Sequence, residues 1–317
     1  MKTPQVQPET KEASPPTCLL LAHISDLHMM GQKDFRIRSL LSKRILGYLS
    51  WRFKRGKHHQ VRVLDALLED LRQIRPNHVA ITGDLTHLGT PGECVKARAW
   101  LERLGRPHDV TVIPGNHDTY VKEPWERTLI HWAPFMTDNG THGPSAFPFL
   151  RVRGPVAIIG LSSARPTPPF LATGYLGRSQ LERLATLLVE TGRQGLMRVI
   201  LIHHPPVPGS ITWRKRLVDG QEFCHVIRRH GAELVLHGHA HIPLFREIDA
   251  HGKRIPVIGV PSASCILPGR GEMARYHLFN IRKKAGGCEV LLVIRGYDPS
   301  LNRFLDMEKK AMVIPFS

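Results

Sequence analysis

The sequence predicts a single α/β domain, and three observations predict it. Short apolar runs of strand length alternate with segments of helical periodicity. Gly and Pro punctuate the joints between them. Five clusters rich in Asp, His and Asn each begin where a predicted strand ends. In α/β folds that edge is where loops from distant parts of the chain converge on one crevice.

The elements follow in order. Residues 1–17 are polar and Pro-containing and read as a disordered leader. An apolar strand over 19–25 ends in Asp26-Leu27-His28. Val61, Leu64, Leu67, Leu68, Leu71 and Ile74 give a helix over 61–75, stopped by Pro76. A strand over 78–82 ends in Gly83-Asp84. A helix over 93–104 leads to a strand over 110–114, which ends in Gly115-Asn116-His117-Asp118. A strand over 156–161 precedes a helix over 179–190, with Ser179 as the expected N-cap and Glu182 as its capping-box partner. A strand over 199–202 ends in His203-His204-Pro205-Pro206. A helix over 221–229 and a strand over 233–236 lead to Gly238-His239-Ala240-His241. Strands over 244–248, 255–260, 276–281 and 289–294 complete a domain spanning 18–296, and 297–317 reads as a C-terminal tail.

At 317 residues the chain can bury a full core. Its 44 Lys+Arg against 27 Asp+Glu give a net charge of +17, which draws anions: phosphorylated substrates, nucleic acid or an anionic membrane face. Five cysteines without a C-x-x-C pair argue against a disulfide framework or a zinc ribbon, so no disulfide partner is expected. No stretch reaches the ~18–20 apolar residues of a spanning helix. The expectation is a cytoplasmic protein, with peripheral contact at the inner membrane as a further option.

A capping Asp, a turn Asn or a core His explains any one cluster. Those readings explain five clusters at consistent strand ends poorly. Together the side chains offer carboxylate and amide oxygens with imidazole nitrogens and no thiolate, a donor set for two divalent metals. Two metals about 4 Å apart serve displacement at phosphorus. Mixed oxygen and nitrogen ligation suits Mn, Fe or Zn better than Ca.

The ordered set D-x-H, G-D, G-N-H-D, a later His and G-H-x-H resembles the calcineurin-like metallophosphoesterase superfamily over residues 19–280. The resemblance implies a two-sheet, four-layer α/β sandwich with helices outside and metals at the C-terminal edge of the strands. It implies that Asp26, His28 and His241 hold one metal, that Asn116, His203 and His239 hold the second, and that Asp84 bridges them. A bridging carboxylate would offset repulsion between two dications. Gly238 would let two backbones approach closely. The resemblance also implies in-line attack by metal-activated water. His117 would bond the phosphate or protonate the leaving oxygen, and Asp118 would orient His117. His204 is expected beside the site or facing substrate, with exchange of its role with His203 left open.

Residues 33–57 carry nine Lys or Arg against Asp34 alone, interleaved with apolar and aromatic residues. This basic amphipathic insert should overhang the metals. It suits an anionic membrane or a lipid-linked substrate, with Arg44, Tyr48 and Trp51 as contacts. The plain alternative is a packed helical cap. Residues 43–51 are also similar to a segment of the bacterial UDP-2,3-diacylglucosamine hydrolase-related branch of lipid A synthesis.

The leading expectation is therefore a two-metal hydrolase of a phosphodiester or pyrophosphate bond, with UDP-2,3-diacylglucosamine as the first substrate. The alternative within the class is a cyclic-nucleotide or glycerophosphodiester phosphodiesterase. A metal-dependent nuclease is less favoured, because the charge concentrates in one insert and no nucleic-acid recognition motif is present. A binding protein without catalysis is disfavoured because every motif position is kept.

Overall fold

Two six-stranded sheets frame the described part of the chain. The structure is a computed structural model and describes residues 17–29, 44, 60–137, 146–250, 252–267 and 272–317. Tyr48, Trp51 and the rest of the 33–57 insert except Arg44 lie outside the described residues, as does most of the expected leader.

The first sheet joins β1 (Cys18–Ile24), β2 (His78–Ile81), β3 (Val110–Val112), β12 (Arg275–Lys284), β13 (Gly287–Asp298) and β14 (Arg303–Pro315) in the order β14-β13-β12-β1-β2-β3. Its β1, β2 and β3 run parallel. The second joins β4 (Phe149–Arg153), β5 (Val156–Gly160), β6 (Met197–Leu201), β7 (Leu234–His237), β8 (Leu244–Ala250) and β9 (Lys253–Gly259) in the order β4-β5-β6-β7-β9-β8. Here β5, β6, β7 and β9 run parallel. A short ribbon pairs β10 (Ile266–Leu267) with β11 (Glu272–Met273).

Alternation along the strands shows how the layers stack. On β6, Val199 and Leu201 join a core shared with Ile24, Ile81 and Val112 of the first sheet. Ile200 faces the other way and packs with Leu184 and Leu188 of α4 (Arg178–Arg193) and Phe223 of α5 (Gly220–His230). The first sheet is covered in turn by α1 (Val61–Ile74) and α2 (Pro91–Leu104), through Leu67, Leu71 and Trp100. The order is helix, sheet, sheet, helix. Strands buried on both faces explain why β5, β6 and β7 read as continuous apolar runs. A short helix, α3 (Ala133–Met136), is one turn beside β3.

Two expectations need correction. Ser179 does not cap α4: it lies exposed in the first turn, and the cap position is Gly177, without a side-chain bond. The donors at that entry are satisfied from another segment, where Asp219 accepts from Leu176 N and Gly177 N. The capping box sits instead on α2, where Thr90 Oγ1 accepts from Glu93 N and Glu93 Oε2 from Thr90 N. The 297–317 segment is no tail, because β14 forms the edge of the first sheet along β13. Most of its side chains are exposed, so an edge strand carries no apolar alternation to reveal it. Among the described residues no helix is long and apolar enough to cross a membrane.

Candidate metal centre

The parallel strands of both sheets end at one crevice, and the five motifs lie in the loops that leave them. β1 delivers Asp26 and His28, β2 delivers Asp84, and β3 delivers Asn116, His117 and Asp118. From the second sheet β6 delivers His203 and His204, and β7 delivers His239 and His241.

The backbone in these loops is unusual. Asp26, His28, Asp84, His239 and His241 all have positive φ, between 47° and 68°. Five non-glycine residues in the left-handed region cost energy that tertiary contacts must hold in place. Those contacts are visible. Asp26 N donates to Gly83 O at 3.0 Å, and His28 N to Asp84 O at 2.9 Å. His239 N donates to Asp26 Oδ2 at 2.9 Å, tying the second sheet to the first. Gly238 is required there: a Cβ would lie 1.9 Å from Ser25 Oγ and 2.5 Å from Asp26 Oδ2.

Besides a cluster of His28, His87 and His117, two triads of metal-competent atoms result among the described residues, each with its ligand atoms within 4.8 Å of one another: Asp26, His28 and His241, and Asp84, His203 and His239. Asp84 Oδ2 lies 3.9 Å from His28 Nε2 and 3.4 Å from His203 Nε2, so it reaches both groups. Asn116 Oδ1 lies 3.1 Å from His203 Nε2. Around the first triad, His241 Nε2 is 3.1 Å from both Asp26 Oδ1 and His28 Nε2.

The donor set fits a pair of cations. His203 Nδ1 donates to Thr82 O at 2.6 Å, which leaves Nε2 as the ligand nitrogen. His239 Nε2 donates to Lys215 O at 3.0 Å, which leaves Nδ1. Burial is the largest influence on His203 and opposes charging it, but Asp84, Asp26 and the Thr82 carbonyl together outweigh it and raise the imidazole to about 9. Burial would also raise Asp26, yet His241, His203 and Ser25 together outweigh that and hold the carboxyl well below the usual carboxylate range. Burial and then the neighbouring histidines lower His204 and His239. The buried carboxylates Asp26 and Asp84 are the anionic groups that a pair of cations would meet there.

His203, not His204, reaches Asp84. His204 is buried, with Nδ1 on Ser163 Oγ at 2.7 Å and Nε2 near Ala172 O at 3.2 Å, and its ring packs 4.4 Å from that of His239. It supports the ligands sideways. His117 is half-buried, perpendicular to His28 at 4.7 Å and stacked on Tyr120. Its Nδ1 donates to His87 O at 2.6 Å. Asp118 therefore does not orient the His117 ring, contrary to expectation. Its Oδ1 accepts from Thr86 N and Oγ1, and its Oδ2 accepts from Gly115 N. A carboxylate following a tight turn is captured by nearby backbone donors, and Asp118 staples two loops instead. Burial, then the Asp84 charge, raises its pKa to about 7.

Arg44 also departs from expectation. Its side chain is turned inward rather than toward lipid or substrate, and it is 4% exposed. It donates from Nε to Leu88 O at 3.1 Å, from Nη2 to Gly89 O at 2.7 Å and from Nη1 to Glu123 Oε1 at 2.8 Å. The sequence reading gave no role to His87, whose ring lies 5.2 Å from His117 and 5.7 Å from His28. Its position three residues after Asp84, in the same loop, was the available signal.

Comparison with known proteins agrees with this geometry. A probable cyclic nucleotide phosphodiesterase of Synechococcus sp. is 34% identical over 227 residues, covering 70% of this chain and 73% of that protein. A cAMP/cGMP dual specificity phosphodiesterase of Mycobacterium tuberculosis is 28% identical over 256 residues, covering 78% and 67%. A dimetal phosphatase from Danio rerio shares the fold, with a TM-score of 0.62 at 12% identity, covering 94% of this chain and 99% of that one. The sequence model of calcineurin-like phosphoesterases matches residues 19–243, from the first strand through the last histidine of the crevice. Fold, motif order and family match coincide: the chain belongs to the calcineurin-like phosphoesterases, metal-dependent hydrolases of phosphoester bonds.

Proposed function

We propose that the chain hydrolyses small phosphodiesters, with cyclic nucleotides as the first class of substrate. The observation that carries the reading is the convergence of two ligand triads on Asp84, with His117 beside them. Asp26, His28 and His241 would hold one divalent ion, and Asn116, His203 and His239 the other, with Asp84 shared. Such a pair, when bound, supplies Lewis acidity at phosphorus and lowers the pKa of water. The chain's own part is to hold Asp84 Oδ1 on His117 N at 2.8 Å and to fix the His117 tautomer. With Nδ1–H on the His87 carbonyl, Nε2 is the nitrogen left to face the leaving oxygen, and in the imidazolium form it hands that oxygen its proton.

The relatives named cyclic nucleotide phosphodiesterases support the soluble-diester reading over a lipid-linked one. So does Arg44, the one described residue of the basic insert, which is engaged by protein carbonyls and Glu123. The test is turnover of cyclic AMP, cyclic GMP and bis(4-nitrophenyl) phosphate after loading with Mn, Fe or Zn in turn. Asp84→Ala serves as the control. Turnover of the cyclic nucleotides that Asp84→Ala abolishes is expected. Turnover of the chromogenic diester alone would keep the chemistry and remove cyclic nucleotides as substrates.

A further inference from the structure

We infer that Arg44 is a positioning residue for proton transfer, acting through the His87–Gly89 loop on His117. The inference rests on His117 delivering the proton, as proposed above. Three successive carbonyls in this loop have assigned partners. His87 O accepts from His117 Nδ1, Leu88 O from Arg44 Nε and Gly89 O from Arg44 Nη2. The same guanidinium reaches Glu123, six residues beyond His117. Arg44 thus bridges the loop before His117 and the loop after it.

The rest of the loop is packed so that motion at Leu88 and Gly89 is passed on. Leu88 N and Thr90 N both donate to Glu93 Oε2. Thr86 Oγ1 donates to His117 O at 3.3 Å. A Cβ on Gly89 would lie 2.9 Å from both His117 O and Asp118 O, so its backbone lies directly against that turn. The guanidinium reaches two adjacent carbonyls and a carboxylate from three separate nitrogens, a spread that the single nitrogen of an ammonium matches only in part. Without it, buried carbonyls lose their donors and the segment carrying His87 O shifts. The His117 ring then loses its aim, while Asp26, His28, His203, His239 and His241, set by other loops, keep theirs, and Asp84 at the head of this loop stays held by His28 N and His117 N.

The experiment uses the full chain loaded with metal, and compares wild type with Arg44→Ala, Arg44→Lys and His117→Ala. The substrates are aryl phosphodiesters graded from 4-nitrophenol to phenol as leaving group. A good leaving group needs no proton, and a poor one does. For Arg44→Ala, kcat should fall about threefold or less on the 4-nitrophenyl ester and on the order of 10²-fold on the phenyl ester, the loss a ~1 Å misplacement causes. KM and metal content should stay near wild type, and guanidinium salt should restore part of the lost kcat. His117→Ala should show the same leaving-group dependence. Arg44→Lys, which keeps the charge, should fall between wild type and Arg44→Ala, and it carries the test should Arg44→Ala fail to fold. Equal loss on all esters, loss of metal, or no loss in either Arg44 variant would overturn the inference. If His117→Ala itself lacks leaving-group dependence, the reading of His117 fails first.

Discussion

His277 offers a quantitative handle on the interior between the sheets. It sits on β12, is 2% exposed, and among the described residues neither ring nitrogen has a hydrogen-bond partner. Burial, reinforced by Arg275 and His237, lowers its pKa to about 3. The folded protein therefore excludes a proton that the unfolded chain binds below its ordinary pKa of 6.5. That contribution is intact above pH 6.5 and is lost as pH falls toward 3. At pH 5.5, one unit below the unfolded value, the loss is about 1.4 kcal/mol, against less than ~0.1 kcal/mol at pH 7.5. His277→Leu removes the titration and both orphaned nitrogens. Urea unfolding of wild type and variant at both pH values measures the effect. The stability difference should move in the variant's favour by about 1.4 kcal/mol between pH 7.5 and 5.5. Parallel curves for the two proteins over that window would refute the buried neutral imidazole.

Three further outcomes are expected. Asp84→Ala should lose bound metal from both triads, read by elemental analysis, and turnover with it. His117→Ala should keep its metal content and lose kcat by ~10²–10⁴-fold on substrates with poor leaving groups. Arg198→Ala should cost about 3–5 kcal/mol in urea unfolding, because it leaves the buried Glu233 carboxylate without its 2.6 Å guanidinium partner.

The site was legible because it is written in short motifs whose residue types have few other uses in such numbers. The strands feeding it were legible for a related reason. Runs such as Val199 to Leu201 and Leu234 to Leu236 are buried on both faces and stay apolar throughout. What escaped depends on contacts from elsewhere in the chain. Asp118 turned to Thr86 and Gly115, Gly177 and Leu176 borrowed Asp219, and Arg44 found carbonyls more than forty residues away. Such partners are chosen by three-dimensional packing, and no local pattern encodes them. The strand β14 escaped because an edge needs only one paired side and tolerates charge, as the exposed Lys309 and Lys310 show, and β4 escaped because Arg151 interrupts its apolar run while lying buried on the carbonyls of Pro107, Val110 and Pro134.

Arg198 sits at the start of β6, at the opposite end of that strand from His203. It donates to Glu233 and to Ser317 O, and Ser317 N donates to Glu233 Oε1. Ser317 is reached through β14 of the first sheet, while Arg198 and Glu233 belong to the second. The two halves of the crevice are thus arms of a calliper pinned at the far end. The spacing between Asp26 and Asp84 on one arm and His203 and His239 on the other is then set partly by a clasp that touches neither. A weakened clasp should be felt as an altered gap at the jaws.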